Sequence, residues 1–109
     1  MAKDDMHVVM YKILKYLYEC LKQGKDVEFD LLAPAIYQIN EKYWTAIMLE
    51  LIDRGYVKGF KKKQGDDRIK VVPVEPSITM TGVEFLLDNS MMAKAKNFIM
   101  EAKDFIPLP

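Results

Sequence analysis

Apolar residues near the start of the chain recur at helical spacing. Met6, Val9, Met10, Ile13, Leu14, Leu17 and Leu21 gather into one broad stripe, which predicts an amphipathic helix from about Met6 to Gln23. Asp5 stands at its N-cap and Gly24 offers the left-handed stop. "GKDVEFD" then reads as a turn with a short extended piece over Val27 to Phe29. "DLLAPAIYQI" predicts a short second helix, capped by Asp30 or beginning nearer Pro34. Proline disfavours helical backbone at Ala33 and lacks a donor, which a helix tolerates only near its start.

Asn40 is a good N-cap for a third helix, "EKYWTAIMLELIDR", whose core face is Trp44, Ile47, Met48 and Leu51 and which Gly55 ends. The pattern then alternates. Strands are expected over about Tyr56 to Lys62 and Arg68 to Val74, with "QGDD" as the turn and Gly65 supplying positive φ. Thr79 caps a helix over about 79–89, with Ile78 and Val83 as a hydrophobic staple. Ser90 is expected to cap the last helix, about 90–106, with Met91, Ala95, Phe98, Ile99, Ala102, Phe105 and Ile106 as its stripe; Pro107 and Pro109 close the chain. The fold class is therefore α+β and mostly helical. It is a winged helix-turn-helix of three N-terminal helices, a two-stranded wing over about 56–74 with a short extra strand, and two C-terminal helices, in one domain over 1–109.

Charge changes the picture by its placement. Sixteen basic and sixteen acidic side chains cancel, so no global field draws the protein to a polyanion. Residues 1–55 hold seven basic and nine acidic groups (−2), residues 56–76 six and three (+3), and residues 77–109 three and four (−1). Lys58, Lys61, Lys62, Lys63, Arg68 and Lys70 of the hairpin can neutralise phosphates, with Lys61 and Lys63 on one face and Lys58 and Lys62 on the other. Asp66 and Asp67 at the tip oppose this, and lysines on a hairpin also serve to block edge pairing. On the third helix the face away from the core offers Lys42 and Thr45 beside Ala46, Leu49, Glu50 and Asp53, with Glu41 nearer the edge. It has no arginine, asparagine or glutamine for bidentate base contacts.

Other chemistry is sparse. Cys20 is the only cysteine, and it lies about 20 Å along one helix axis from His7, the only histidine, so neither disulfide nor metal pairing is expected. No phosphate-cradling glycine loop is present, and the paired aspartates Asp4/Asp5 and Asp66/Asp67 lie in solvated contexts, so no catalytic residue, metal or cofactor is expected. A start rich in charge and the lack of any apolar run near ~20 residues predict a cytoplasmic protein with no membrane partner.

"DRGYVKG", "ITMTGVEFLLDNS" and "AKNFIMEAKDFI" resemble the YjcQ family, small winged-helix proteins of Gram-positive bacteria and their phages, over roughly residues 5–106. The resemblance implies a fold more than an activity. Together with the basic wing, it leads to the expectation of a DNA-binding protein, a phage or bacterial regulator that contacts double-stranded DNA mainly through phosphates. The rival expectation is a protein interaction module using Tyr43, Ala46 and Leu49 of the third helix. Eight methionines, five phenylalanines and six tyrosines exceed the needs of one small core. Two edges of the last helix's apolar arc, about 140° wide, compete for cover. Met92 and Ile99 are expected to be left over as a homodimer interface, unless the first helix covers the whole arc.

Overall fold

The helix predicted at the start of the chain forms the centre of the molecule. In the computed structural model, which describes residues 1–107, α1 (Met6–Gln23) packs against four other elements: α2 (Glu41–Asp53), the second strand of a hairpin β1 (Val57–Gln64) and β2 (Ile69–Ile78), α3 (Met80–Asp88) and α4 (Ser90–Ala102). A helix with neighbours on several sides must be apolar around most of its circumference. Val8, Tyr11, Tyr16 and Cys20 are accordingly buried beside the predicted stripe, whereas Leu21, expected in that stripe, is exposed. Among the described residues the chain is thus mixed α+β and mostly helical, with four α-helices and one two-stranded antiparallel sheet. Pro109, expected to close the chain, lies outside them.

The expected second helix and extra strand do not form. Two 3-10 turns, Phe29–Leu32 and Pro34–Tyr37, take the helix's place, separated by Ala33 at φ −122° and ψ 148°. That extended backbone is what the residue before a proline prefers, so no α-helix can run through it. Gln38 enters the left-handed region at φ 56° and ends the second turn at once. Tyrosine hydroxyls tie this irregular stretch down: Tyr16 accepts from the Glu28 N–H at 2.8 Å, and Tyr37 donates to the Leu31 carbonyl at 2.9 Å. The Tyr37 ring stacks on Trp44 of α2, which accounts for part of the aromatic surplus.

Asn40 caps α2 as expected, its Oδ1 accepting from the Tyr43 N–H at 2.8 Å. Gly55 follows the helix at φ 76°. Thr79 caps α3 by accepting from the Gly82 N–H at 3.0 Å, and its hydroxyl donates to the Gly55 carbonyl. The Thr79 N–H also donates to the Tyr56 carbonyl at 3.0 Å. A Cβ on Gly82 would overlap that same carbonyl oxygen, so only glycine lets the start of α3 lie this close to the base of the hairpin. Tyr56 and Phe85 then stack with ring centroids 4.2 Å apart. The stretches "RGY" and "TMTG", far apart in sequence, meet here.

Within the hairpin the positive-φ glycine is Gly59, at φ 81°, and not Gly65. The tip is closed instead by the Gly65 N–H donating to the Arg68 carbonyl at 2.7 Å, with Asp66 and Asp67 between. The pairing passes from Lys58↔Ser77 to Phe60↔Pro73, so an advance of two residues along β1 faces four along β2. This bulge brings Gly59 against the Glu75 carbonyl and accommodates Pro73 and Pro76, which have no donor for the ladder.

At the C-terminal end Asn89, and not the neighbouring Ser90, caps α4, with its Oδ1 accepting from the N–H groups of Met91 and Met92. The helix stops at Ala102, short of the expected 106, because Lys103 turns left-handed at φ 51°. That reversal takes Phe105 out of the stripe and leaves it exposed, and Ala102, the last residue of the helix, is exposed as well. It also sends Asp104 back to α1, where its Oδ2 lies 2.8 Å from Nζ of the buried Lys12. Met92 and Ile99, expected as leftover apolar surface, are fully buried with Ala95 in the core that α4 shares with α1 and α3. α1 and α3 together cover the middle of the arc, and these two residues offer nothing to a partner.

Two outcomes test this packing. Gly59→Ala and Gly82→Ala should each lower stability by more than about 2 kcal/mol in urea melts, because a Cβ strikes backbone at both positions. Gly24→Ala, at φ 65° with open space around it, should cost only about 1 kcal/mol. Asp104 supplies the second test. Burial alone would raise its pKa, but the hydrogen bond from Lys12, the Phe105 N–H and the charges of Lys12 and Lys3 outweigh burial and lower it. A carboxyl depressed by folding contributes stability above its unfolded pKa and loses it as pH falls through the folded value. Asp104→Asn should therefore destabilise at neutral pH, by roughly 2–4 kcal/mol since it strands a buried ammonium, and the gap to the unsubstituted protein should narrow as acid titrates Asp104.

Candidate nucleic-acid interface

Directly paired residues of an antiparallel ladder point to the same side, and sides alternate along each strand. Lys61↔Val72 and Lys63↔Lys70 therefore share the outward face, while Phe60, Lys62, Gln64, Ile69 and Val71 share the inward one. The packing agrees: Phe60 and Val71 lie against the core, and Lys62 Nζ reaches Asp53 Oδ1 of α2 at 2.9 Å. The hairpin thus presents Lys61, Lys63 and Lys70 on one exposed face, none of them in an ion pair among the described residues. Lys63 and Lys70 stand directly opposite, an arrangement that costs stability through like-charge repulsion.

The other expected contacts are distributed differently. Lys58 is exposed on the far side of the bulge, opposite Ser77 at the hairpin base. Lys62 is tied to α2, although its pair is exposed and worth only tenths of a kcal/mol by the usual ~0–1 kcal/mol scale. Arg68 sits at the tip with Asp66 and Asp67, and it shares with Lys42, Thr45, Ala46, Leu49 and Ile69 a groove of about 460 Å³ between α2 and the hairpin. A neighbouring groove at the tip adds Glu41, Asp66, Asp67 and Lys70 around the same Arg68. The structure brings Lys42, Thr45 and Arg68 together, away from Lys61 and Lys63, while Lys70, paired with Lys63, also borders the tip groove beside Arg68.

The carboxylates on the outward side of α2, which would repel phosphates if free, are partly matched. Glu50 Oε2 lies 2.9 Å from Arg54 Nε, and Asp53 is met by Lys62, so Glu41 alone of the three has no ion-pair partner among the described residues. Sequence reasoning missed this because the partner of Asp53 lies on another element. It also missed Ile69, whose exposed side chain completes the groove, and misplaced Tyr43, whose hydroxyl donates to the Asp4 carbonyl at 2.7 Å. Burial first, then the charges of Asp4 and Asp5, raise the pKa of that phenol. Tyr43 holds the N-terminal segment and is not part of the groove.

The family model for the YjcQ protein matches residues 11–105. The chain belongs to the YjcQ family. No curated protein and no solved structure matches it. The YjcQ match spans the hairpin, the contact of Gly82 with Tyr56, and both partners of the Lys12–Asp104 pair, so it covers the elements that position the candidate surface. Among the described residues no three metal-binding side chains converge, and no helix is long and apolar enough to cross a membrane.

Proposed function

We propose that this YjcQ-family protein is a winged-helix module, a bacterial or phage regulator that binds double-stranded DNA mainly through phosphate contacts from the hairpin's outward face. The observation that carries this reading is the row Lys61, Lys63 and Lys70, with two lysines directly opposed across the ladder. A protein gains nothing in stability from that opposition, whereas a phosphate backbone laid across it turns repulsion into attraction. Helix α2, followed directly by the hairpin, takes the place of a recognition helix beside its wing. Lys42 and Thr45 are its only basic and hydroxyl groups on the outward face, so it supplies orientation and little base discrimination. The YjcQ chain would then bind many sequences with similar affinity.

A second reading is favoured by one observation, the apolar floor of the groove at Ala46, Leu49 and Ile69. Under that reading the module docks a protein, and the hairpin lysines serve solubility and edge protection.

Fluorescence anisotropy with unrelated 20-base-pair duplexes over a salt series separates the two. Three to five neutralised phosphates should give a log affinity against log salt slope of about −3 to −5. Replacing Lys61, Lys63 and Lys70 together by glutamine should flatten the slope by roughly 2–3 and weaken all duplexes alike, while leaving stability within about 0.5 kcal/mol or slightly raised. Lys62→Gln should change affinity far less, since that lysine turns inward to Asp53. Absence of binding at low salt, or equal effects of Lys62 and Lys63, contradicts the proposal.

A further inference from the structure

Three of the eight methionines meet in one place away from the hairpin face. Met6 and Met10 of α1, Met91 of α4 and the stacked rings of Tyr56 and Phe85 line a cleft of about 330 Å³ where the N-terminal turns of α1 meet the end of α2 and the starts of β1 and α4. Met10 is buried, but Met6, Met91, Tyr56 and Phe85 are only half-buried, so the cleft opens to solvent. An apolar cavity of about 150 Å³ already accepts a benzene ring, so this one can hold a ring with a substituent. Thioether side chains are unbranched and polarisable; they adapt to a planar guest and make favourable contacts with its edge. A wall of three methionines beside an aromatic stack therefore suits a flat, apolar molecule better than a sugar or a peptide backbone.

The rim adds one polar requirement. Arg54 and Glu50 reach the cleft together, with Arg54 Nε donating to Glu50 Oε2 at 2.9 Å. The guanidinium has five N–H groups; Glu50 takes the one on Nε and the Tyr56 hydroxyl is a second partner, which leaves the remaining N–H groups for a second carboxylate. Glu50 holds the fork in place and offsets one charge, while His7 on the same rim has a further ring nitrogen to offer. We propose that this cleft binds a small aromatic carboxylate, its ring against Met6, Met10, Met91 and the Tyr56–Phe85 stack and its carboxylate on the outer edge of Arg54. This site is independent of the DNA reading, since none of its residues belongs to the hairpin's outward face.

Methionine-methyl NMR on the full chain tests it, with benzoate as the probe and benzylamine as its cationic counterpart. Benzoate should produce saturable shifts at Met6, Met10 and Met91 while the exposed Met80 and Met100, which do not line the cleft, stay in place. It should bind at least ~5-fold more tightly than benzylamine, and Arg54→Gln should remove that preference while preserving the ligand-free methyl spectrum. Arg54→Lys, which keeps the charge and loses the fork, should fall between them. No saturable shift up to ~20 mM benzoate, an affinity too weak for a formed site, overturns the proposal. So do shifts shared equally by Met80 and Met100, or a benzoate affinity indifferent to Arg54.

Discussion

The contact on which the arrangement depends is the approach of Gly82 to the Tyr56 carbonyl. With no side chain in the way, the first turn of α3 closes onto the residue at which α2 gives way to the hairpin, and Thr79 fastens it with bonds to both Gly55 and Tyr56. The two ends of the hairpin are thereby held to one point. Its direction relative to α2 is set at the base, and the inward face lies with Phe60 and Val71 against the core and Lys62 over Asp53. The outward lysines follow from that placement. The charged face is therefore a consequence of a backbone contact between two glycine-bearing turns.

The second constraint is that α1 occupies the centre. A helix with four neighbouring elements keeps only a narrow polar side, here Lys15, Glu19 and Lys22, and the one charge that it buries, Lys12, is met by Asp104 from the far end of the chain. Desolvating an ammonium is costly, so the partner must arrive with good geometry, and the left-handed Lys103 delivers it. Ending α4 at Ala102 is thus tied to satisfying α1. The same packing consumes Met92 and Ile99, while Met100 stays exposed on the last helix and the cleft at Met6, Met10 and Met91 keeps further apolar surface accessible.

Features written in short local signals were legible in the sequence. The caps at Asn40 and Thr79 and the stops at Gly24 and Gly55 need only a few neighbouring residues to specify them, and each forms as expected. Asn89 and Ser90 are both good caps placed side by side, so local chemistry alone could not choose between them. Pro34 announced a helix start, but the left-handed Gln38 four residues later leaves room only for a 3-10 turn. Gly59 and Gly65 exchange roles because positive φ is demanded by a bulge opposite Glu75, a partner fixed by pairing register. The hairpin lysines could be sorted into faces by alternation, yet Lys62's partner on α2 and Lys70's place opposite Lys63 required the folded geometry. The helical wheel gave the width of the α4 arc and not what covers it.

The central claim is that the outward hairpin face, and not the groove beside α2, meets the phosphate backbone. Backbone amide shift mapping by NMR, with a short duplex added at low salt, addresses it residue by residue. The account predicts that the largest shifts fall on Lys61, Lys63, Lys70 and Val72, with smaller ones at Lys42 and Thr45 and none in α4. Shifts concentrated at Ala46, Leu49 and Ile69, or a spectrum unchanged by DNA, would contradict it.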